Sequence, residues 1–434
     1  MRSPSMQFNT LAGVGLVGAL AGAAGSFVTA LLAISIIWAL VLLSVKRIPL
    51  KFQRSDLWIA GPAIFFVLAT TASALFGWRA GQSEVAVLKR LAPLLAFLFF
   101  PLILARLRTV EHAKLVDTFI LGCAVCGLLA LPLAIIQVGW YDVRAEGGAG
   151  NAIPFAMVCS FFGSLSLLNL LQQARWRQVL GLVGFAAAMV CLLLSRSRGL
   201  IPVPFIAVVM FLVMFPEQRA RLRDGRALTL LLGLLAVLLA VASTQMDRLW
   251  LLIRSVFDLD PGAADQSTAL RLEMWEHATR LISERPFWGY GLQNRRALMS
   301  EIDLGYSHFH NGFLTTLVDS GAFGLFAVAL LVMAPVLCVF VNPSKACWKA
   351  RLFIALMIAT TYIVGGLTNF IFLHDIYDSV FLWSALIVAA PWAGEDRQCG
   401  APRARAGAPL ATVEDPRAKA LGDVPQRGDQ RPKP

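Results

Sequence analysis

Apolar runs of about 20 residues recur along most of the chain, and polar residues crowd the short breaks between them. A hydrocarbon core about 30 Å thick needs a helix of roughly 20 apolar residues to cross it. The pattern therefore predicts twelve membrane-spanning helices, near 9–24, 27–45, 57–77, 84–105, 113–138, 151–171, 178–195, 199–216, 227–246, 311–341, 351–372 and 377–394. A barrel would show short alternating segments instead, and none is visible. Leu11 to Val45 is too long for one crossing, so a tight hairpin is expected between Gly22 and Ser26. Ala21-Gly22-Ala23 also resembles a signal-peptidase site, but with only Arg2 ahead of it the uncleaved hairpin is the expectation.

One long polar segment interrupts this pattern. The chain divides into spans one to nine (1–246), a large loop (247–309), spans ten to twelve (310–394) and a tail (395–434) rich in Pro, Ala, Gly and Arg that reads as disordered. Within the loop, Leu270, Met274, Trp275, Ala278, Leu281 and Ile282 share one side of a helix predicted over 268–284, ending before Pro286. A second amphipathic helix is expected at 249–257. Both are expected to lie on the membrane or to cap the bundle.

Composition agrees with this class: 58% of the 434 residues are hydrophobic and 15% are charged, against about 25% in a soluble protein. A net charge of +12 does not imply nucleic acid here. Lys46, Arg47, Lys51, Arg54, Arg106, Arg108, Lys114, Arg175, Arg177 and Arg351 flank loops on one side, as cytoplasmic loops require. The opposite, periplasmic side receives Lys89, Arg90, Arg144, Arg196, Arg198, the large loop and four of the five histidines, His277, His308, His310 and His374. Of the seven cysteines, five fall inside apolar spans and Cys347 and Cys399 lie in basic segments; all seven read as packing residues or reduced thiols. No spacing suited to a zinc site is present.

Ionisable groups beside hydrocarbon are functional candidates by default. The segment Ser307 to Leu314 carries two histidines at the mouth of the tenth span. An imidazole near a helix N-terminus is kept neutral by the dipole, which also favours an anionic ligand. A base next to fixed cations suits chemistry on an anionic, lipid-borne substrate. In an ideal helix eleven residues return to the same face, so His310 and Gly321 are expected to align, with Gly321 and Gly324 admitting a neighbouring helix. At i,i+2 spacing His308 is expected to point away from His310. Asp319 is expected to be a buried, hydrogen-bonded carboxylate that cannot orient His310. Lys89 and Arg90 either hold an anion or snorkel to headgroups.

Three stretches, in order and on one membrane side, resemble the O-antigen ligase and O-antigen polymerase family. They are Ser195-Arg196-Ser197-Arg198-Gly199; Arg271 to Trp275 continuing to Pro286-Phe287-Trp288-Gly289-Tyr290-Gly291; and His310-Asn311 followed by Gly321 and Gly324. The resemblance implies an all-α, GT-C-like membrane glycosyltransferase in a bacterial inner membrane, with its active site facing the periplasm and no metal or other cofactor. It implies His310 as catalytic base and Arg198 and Arg271 as ligands of the donor diphosphate, with Lys89, Arg90 and Arg196 as further candidates. His308, Asn311, Gly321 and Gly324 support the site. The donor it implies is a glycan on undecaprenyl diphosphate. The acceptor is lipid A–core for a ligase and a second lipid-linked glycan for a polymerase. Membrane lipids are the remaining partners. A secondary transporter with a histidine proton relay is a more distant alternative, but transporters gather ionisable groups near the midplane of repeated halves. A histidine base predicts a rate that rises with pH through the ordinary histidine range, roughly 6–7.

Overall fold

The computed structural model describes residues 4–78, 83–218, 266–302, 306, 308–392 and 395. Every regular element among them is helical, and nine helices are long and apolar enough to cross a membrane. The chain is a multi-pass membrane protein. The first hairpin is α1 (Pro4–Ala24) and α2 (Phe27–Ser44), turning at Gly25 with φ +48°. The third crossing contains α3 (Leu57–Phe76). The fourth is broken into α4 (Glu84–Leu91), α5 (Leu95–Leu98) and α6 (Phe100–Leu107), with Pro93 and Pro101 at the interruptions. Then follow α7 (His112–Gly139), α8 (Ala152–Ser166), α9 (Arg175–Leu194) and the shorter α10 (Pro202–Met214).

The large loop contributes α11 (Gln266–Glu284) and α12 (Arg295–Ser300). The last three helices are α13 (Gly312–Val341), α14 (Trp348–Gly366) and α15 (Asp375–Ala389). The helix expected over 268–284 is thus α11, two residues longer at its start. The expected ninth span at 227–246, the amphipathic helix at 249–257 and the tail beyond Glu395 fall outside the described residues.

Small residues set the closest helix contacts, as they do where lipid leaves no hydrophobic drive between helices. A Cβ on Gly18 of α1 would stand 3.0 Å from the Gly122 backbone of α7. One on Gly127 of α7 would meet the Ala188 nitrogen of α9 at 2.5 Å. Helix α15 is buried along almost its whole length and forms the centre of the bundle.

At the end opposite the histidines, several arginines read as loop charges are in fact buried. Arg351 is fully buried and its Nε donates to the Val388 carbonyl at 2.8 Å. Arg108 donates to Asp56 at 2.6 and 2.8 Å and to the Ala390 carbonyl at 3.2 Å. His112 Nε2 lies 2.9 Å from the Ile387 carbonyl. These groups satisfy the last carbonyls of α15, which end inside the protein; of them only Ile387 also has a helical partner, the Ala390 nitrogen at 3.4 Å. Arg106 and Arg177 are likewise buried, on Ser35 and on Asp117 with Asn169. Positive charge on this side is therefore part structural and only part topological. Cys123, Cys126, Cys159, Cys191 and Cys338 are buried free thiols, but Cys347 is disulfide-bonded, which corrects its reading as a thiol.

Candidate functional site

The two histidines are carried by a short non-helical segment that three contacts hold in place. Phe309, between them, is fully buried among Met274, Ala278, Leu281 and Val318. The Trp275 indole donates from Nε1 to the Phe309 carbonyl at 3.0 Å. Asn311 caps α13, its Oδ1 accepting from the Phe313 and Leu314 nitrogens at 3.0 and 3.1 Å. This gives Asn311 a role that sequence had left as support. Between clamp and cap, His310 adopts φ +48°, a left-handed conformation uncommon for a residue with a side chain.

This geometry overturns the helical placement of His308. Its ring faces His310 with centroids 4.2 Å apart. Tyr306 also meets His310 edge-on at 5.0 Å, and Phe370 lies against His308 at 4.2 Å. His308 also hydrogen-bonds Asn369. His310 Nδ1 is buried with no hydrogen-bond partner among the described residues.

Both imidazoles are held neutral. Burial, and then the Arg271 charge, push His310 down to about 4. Burial, then His310 and Arg295, push His308 down to about 3, against the opposing hydrogen bond to Asn369. The ordinary histidine range expected for the free protein is therefore replaced by a lower one. Arg271 and Trp275 are one helical turn apart on α11, which is why the helix can clamp the loop and bring a cation to His310 together. Arg295 was missed in the sequence, because nothing in its local pattern distinguishes it from Arg296. His374 precedes α15, is pushed down by burial and lies 3.1 Å from Asp375. His277 is a structural residue: its Nε2 lies 3.0 Å from the Leu298 carbonyl and its Nδ1 2.8 Å from Arg280.

Gly321 does not sit on a helix face with His310. Its φ of +62° and ψ of −162° break α13 into 312–320 and 322–341. The segment Pro286 to Gly291 lies in the break and takes up the freed backbone groups. The Tyr290 nitrogen donates to the Val318 carbonyl and the Gly291 nitrogen to the Asp319 carbonyl, both at 2.8 Å. In return the Ala322 nitrogen donates to the Pro286 carbonyl at 2.8 Å. So the expected close approach is real, but a turn of non-helical backbone makes it, not a helix. Gly289, at φ +65°, faces the Val318 carbonyl from the other side. Gly324 is buried one turn beyond the break, against Ser320. Asp319 is a buried carboxylate in an ion pair with Arg295, in line with the sequence reading.

The Ser-Arg-Gly stretch reaches the same end by another route. Arg144 donates to the Ser195 carbonyl at 2.9 Å and to Ser197 Oγ at 3.1 Å, fixing the turn before Arg198. Arg198 opens a 3₁₀ turn and is exposed; Gly199 packs on Thr368, two residues from Phe370. Arg196, at φ +57°, is exposed beside Arg144. Lys89 and Arg90 stand exposed at the end of α4, and no described hydrogen bond or ion pair ties them to the histidine segment. A cavity of about 20 Å³, lined in part by Thr315, Arg295, Asp319 and Phe370, admits nothing larger than water. Among the described residues no cluster of three or more His, Cys, Asp or Glu side chains could hold a metal ion.

Residues 182–329 match the family model described as O-antigen ligase. The matched stretch is about a third of the chain and contains all three motifs, from Ser195 to Gly324. Over it the chain is similar to a family of membrane glycosyl-transferring enzymes, and the resemblance read from the motifs stands. No curated protein matches the chain.

Proposed function

We propose, taking residues 182–329 as those of an O-antigen ligase family member, that the protein transfers a glycan from undecaprenyl diphosphate to lipid A–core at the periplasmic face of a bacterial inner membrane. The observation that carries the reading is the neutral His310 at the mouth of α13, with the Arg271 charge acting on it. In this reading twelve helices span the membrane and the fold is GT-C-like.

Breaking the bond between the anomeric carbon and the diphosphate leaves negative charge on the departing oxygens. Arg271 and the exposed Arg198 supply permanent, fork-shaped cations for them. Charge that develops in the transition state is then met by groups already in place. The acceptor hydroxyl attacks the anomeric carbon, its proton passes to the His310 ring, and undecaprenyl diphosphate leaves with the bonding electrons. A base pushed down to about 4 is neutral at working pH but weak. The bound diphosphate offsets the Arg271 charge and raises the basicity where it is used. Lys89, Arg90 and Arg196 remain candidate contacts for the donor or for headgroups. No metal enters the reaction as proposed.

The test has two parts. Deleting the gene should leave bare lipid A–core with retained lipid-linked chains. Core carrying a single repeat would mean polymerisation instead, and unchanged lipopolysaccharide would reopen the transporter. In purified protein, His310→Ala should lower transfer by about 10²–10⁴ while donor still binds. Arg198→Lys and Arg271→Lys should impair it as well, because the fork is lost. Wild-type transfer by His310→Ala would refute the role of this histidine.

A further inference from the structure

The ion pair between Arg295 and Asp319 joins three parts of the site that are distant in sequence. Arg295 Nε donates to both carboxylate oxygens of Asp319, at 3.1 and 3.0 Å, and the guanidinium makes a further contact to Oδ2. The two side chains are 12% and 3% exposed. Asp319 belongs to the last turn before the break at Gly321, and its carbonyl receives the Gly291 nitrogen. The same guanidinium lies over the Phe370 ring at 5.3 Å, and Phe370 lies against His308. Asn369, adjacent to Phe370, hydrogen-bonds His308 and receives Gly312 closely at its carbonyl.

Burying an ion pair is a poor way to gain stability, since well-packed apolar residues often do as well or better. A two-point guanidinium–carboxylate contact does fix orientation, which apolar packing does less sharply. We propose that Arg295 and Asp319 form a positioning pair, which locks the broken helix to the Phe370 loop and sets the fixed charge beside the His308–His310 pair. The other groups facing the stack are Arg271 from α11, His374 beside Asp375 from the last outer loop, and Tyr306 and Asn369, which carry no charge near neutral pH. Arg295 and Asp319 pair opposite charges behind the Phe370 ring that lies against His308. The positioning role rests on the function proposed above, but the charge effect can be read without it.

The experiment uses the full chain in detergent with ¹³C-labelled histidine. The imidazole titrations are followed by NMR and assigned with His308→Ala and His310→Ala. Removing the cation in Arg295→Gln should move the His308 titration to higher pH. Asp319→Asn leaves the cation unopposed and should move it to lower pH. The double variant, which buries no unpaired charge, should fold and titrate near wild type. Arg295→Lys should keep the titration and lose rate, because one charge without a fork cannot hold the carboxylate at two points. In transfer assays each single variant should lose at least about tenfold in kcat with KM little changed, as expected when a catalytic group is slightly misplaced. Arg295→Gln and Asp319→Asn variants that shift the titration the same way, or not at all, would overturn the proposal. So would rates that fall only in step with thermal stability. A wild-type protein that transfers no glycan, yet shows opposed shifts, would sink the functional reading and leave the charge effect standing.

Discussion

Gly321→Ala tests whether the helix break is built into the site. At φ +62° and ψ −162° the residue occupies a region that is essentially reserved for glycine. Holding alanine there costs about 1–3 kcal/mol. The added Cβ would stand on the Phe287 carbonyl and 2.5 Å from the Trp288 nitrogen, both backbone atoms that cannot rotate away. Overpacking of this kind costs about 1–3 kcal/mol more. If the Pro286–Gly291 segment instead moves out, the bonds to Val318, Asp319 and Ala322 are lost, each worth about 1 kcal/mol net. By either route the variant should be about 2–6 kcal/mol less stable, a large part of a protein's margin. Thermal unfolding in detergent, beside glycan transfer, gives the readout. Gly61→Ala is the control, because its Cβ meets nothing within 4 Å inside α3 and alanine favours the helix. A Gly321→Ala protein that melts and transfers like wild type would refute the idea that this backbone break is required.

Two further outcomes follow from the same geometry. Trp275→Phe removes the indole donor from the Phe309 carbonyl, so stability should fall by about 1–3 kcal/mol while transfer falls more than about tenfold; an unchanged rate at reduced stability would deny Trp275 a part in holding the histidines. In the pH dependence of transfer, kcat/KM should rise through about 4, the free-protein value of His310, and kcat should rise at higher pH because the bound diphosphate offsets Arg271. The stability term has the matching sign: His308 and His310 are buried neutral, so their contribution is complete above about 6.5 and is lost as pH falls through that value towards about 4 for His310 and about 3 for His308. Acid limbs for kcat and kcat/KM that coincide near 6.5 would show that neither burial nor Arg271 acts on His310.

What sequence alone settled is the class of protein. Runs of apolar residues long enough to cross hydrocarbon leave little choice of element, because a chain in lipid must satisfy its own backbone. The periodic face of α11 and the motif residues Arg198, Arg271 and His310 were legible for the same local reason: each is a pattern within a few turns of helix or a short stretch of chain. The site's working geometry was not local. The i,i+2 argument that separated His308 from His310 assumed a helix, and the clamp from Trp275 and the cap by Asn311 keep that segment out of one. The eleven-residue argument for Gly321 assumed an unbroken helix, while the backbone donors of Tyr290 and Gly291, from far earlier in the chain, make the break stable. Arg295 and Asp319 carry no signal in the sequence, since their meaning lies in a contact across 24 residues. Arg108 and Arg351 looked like loop charges, and only the buried end of α15 explains them: carbonyls with no partner of their own draw in donors from elsewhere in the chain. Periodicity can report which face of an element is apolar, but unpaired backbone groups exist only once the elements meet, and tertiary structure decided which side chains and segments would answer them.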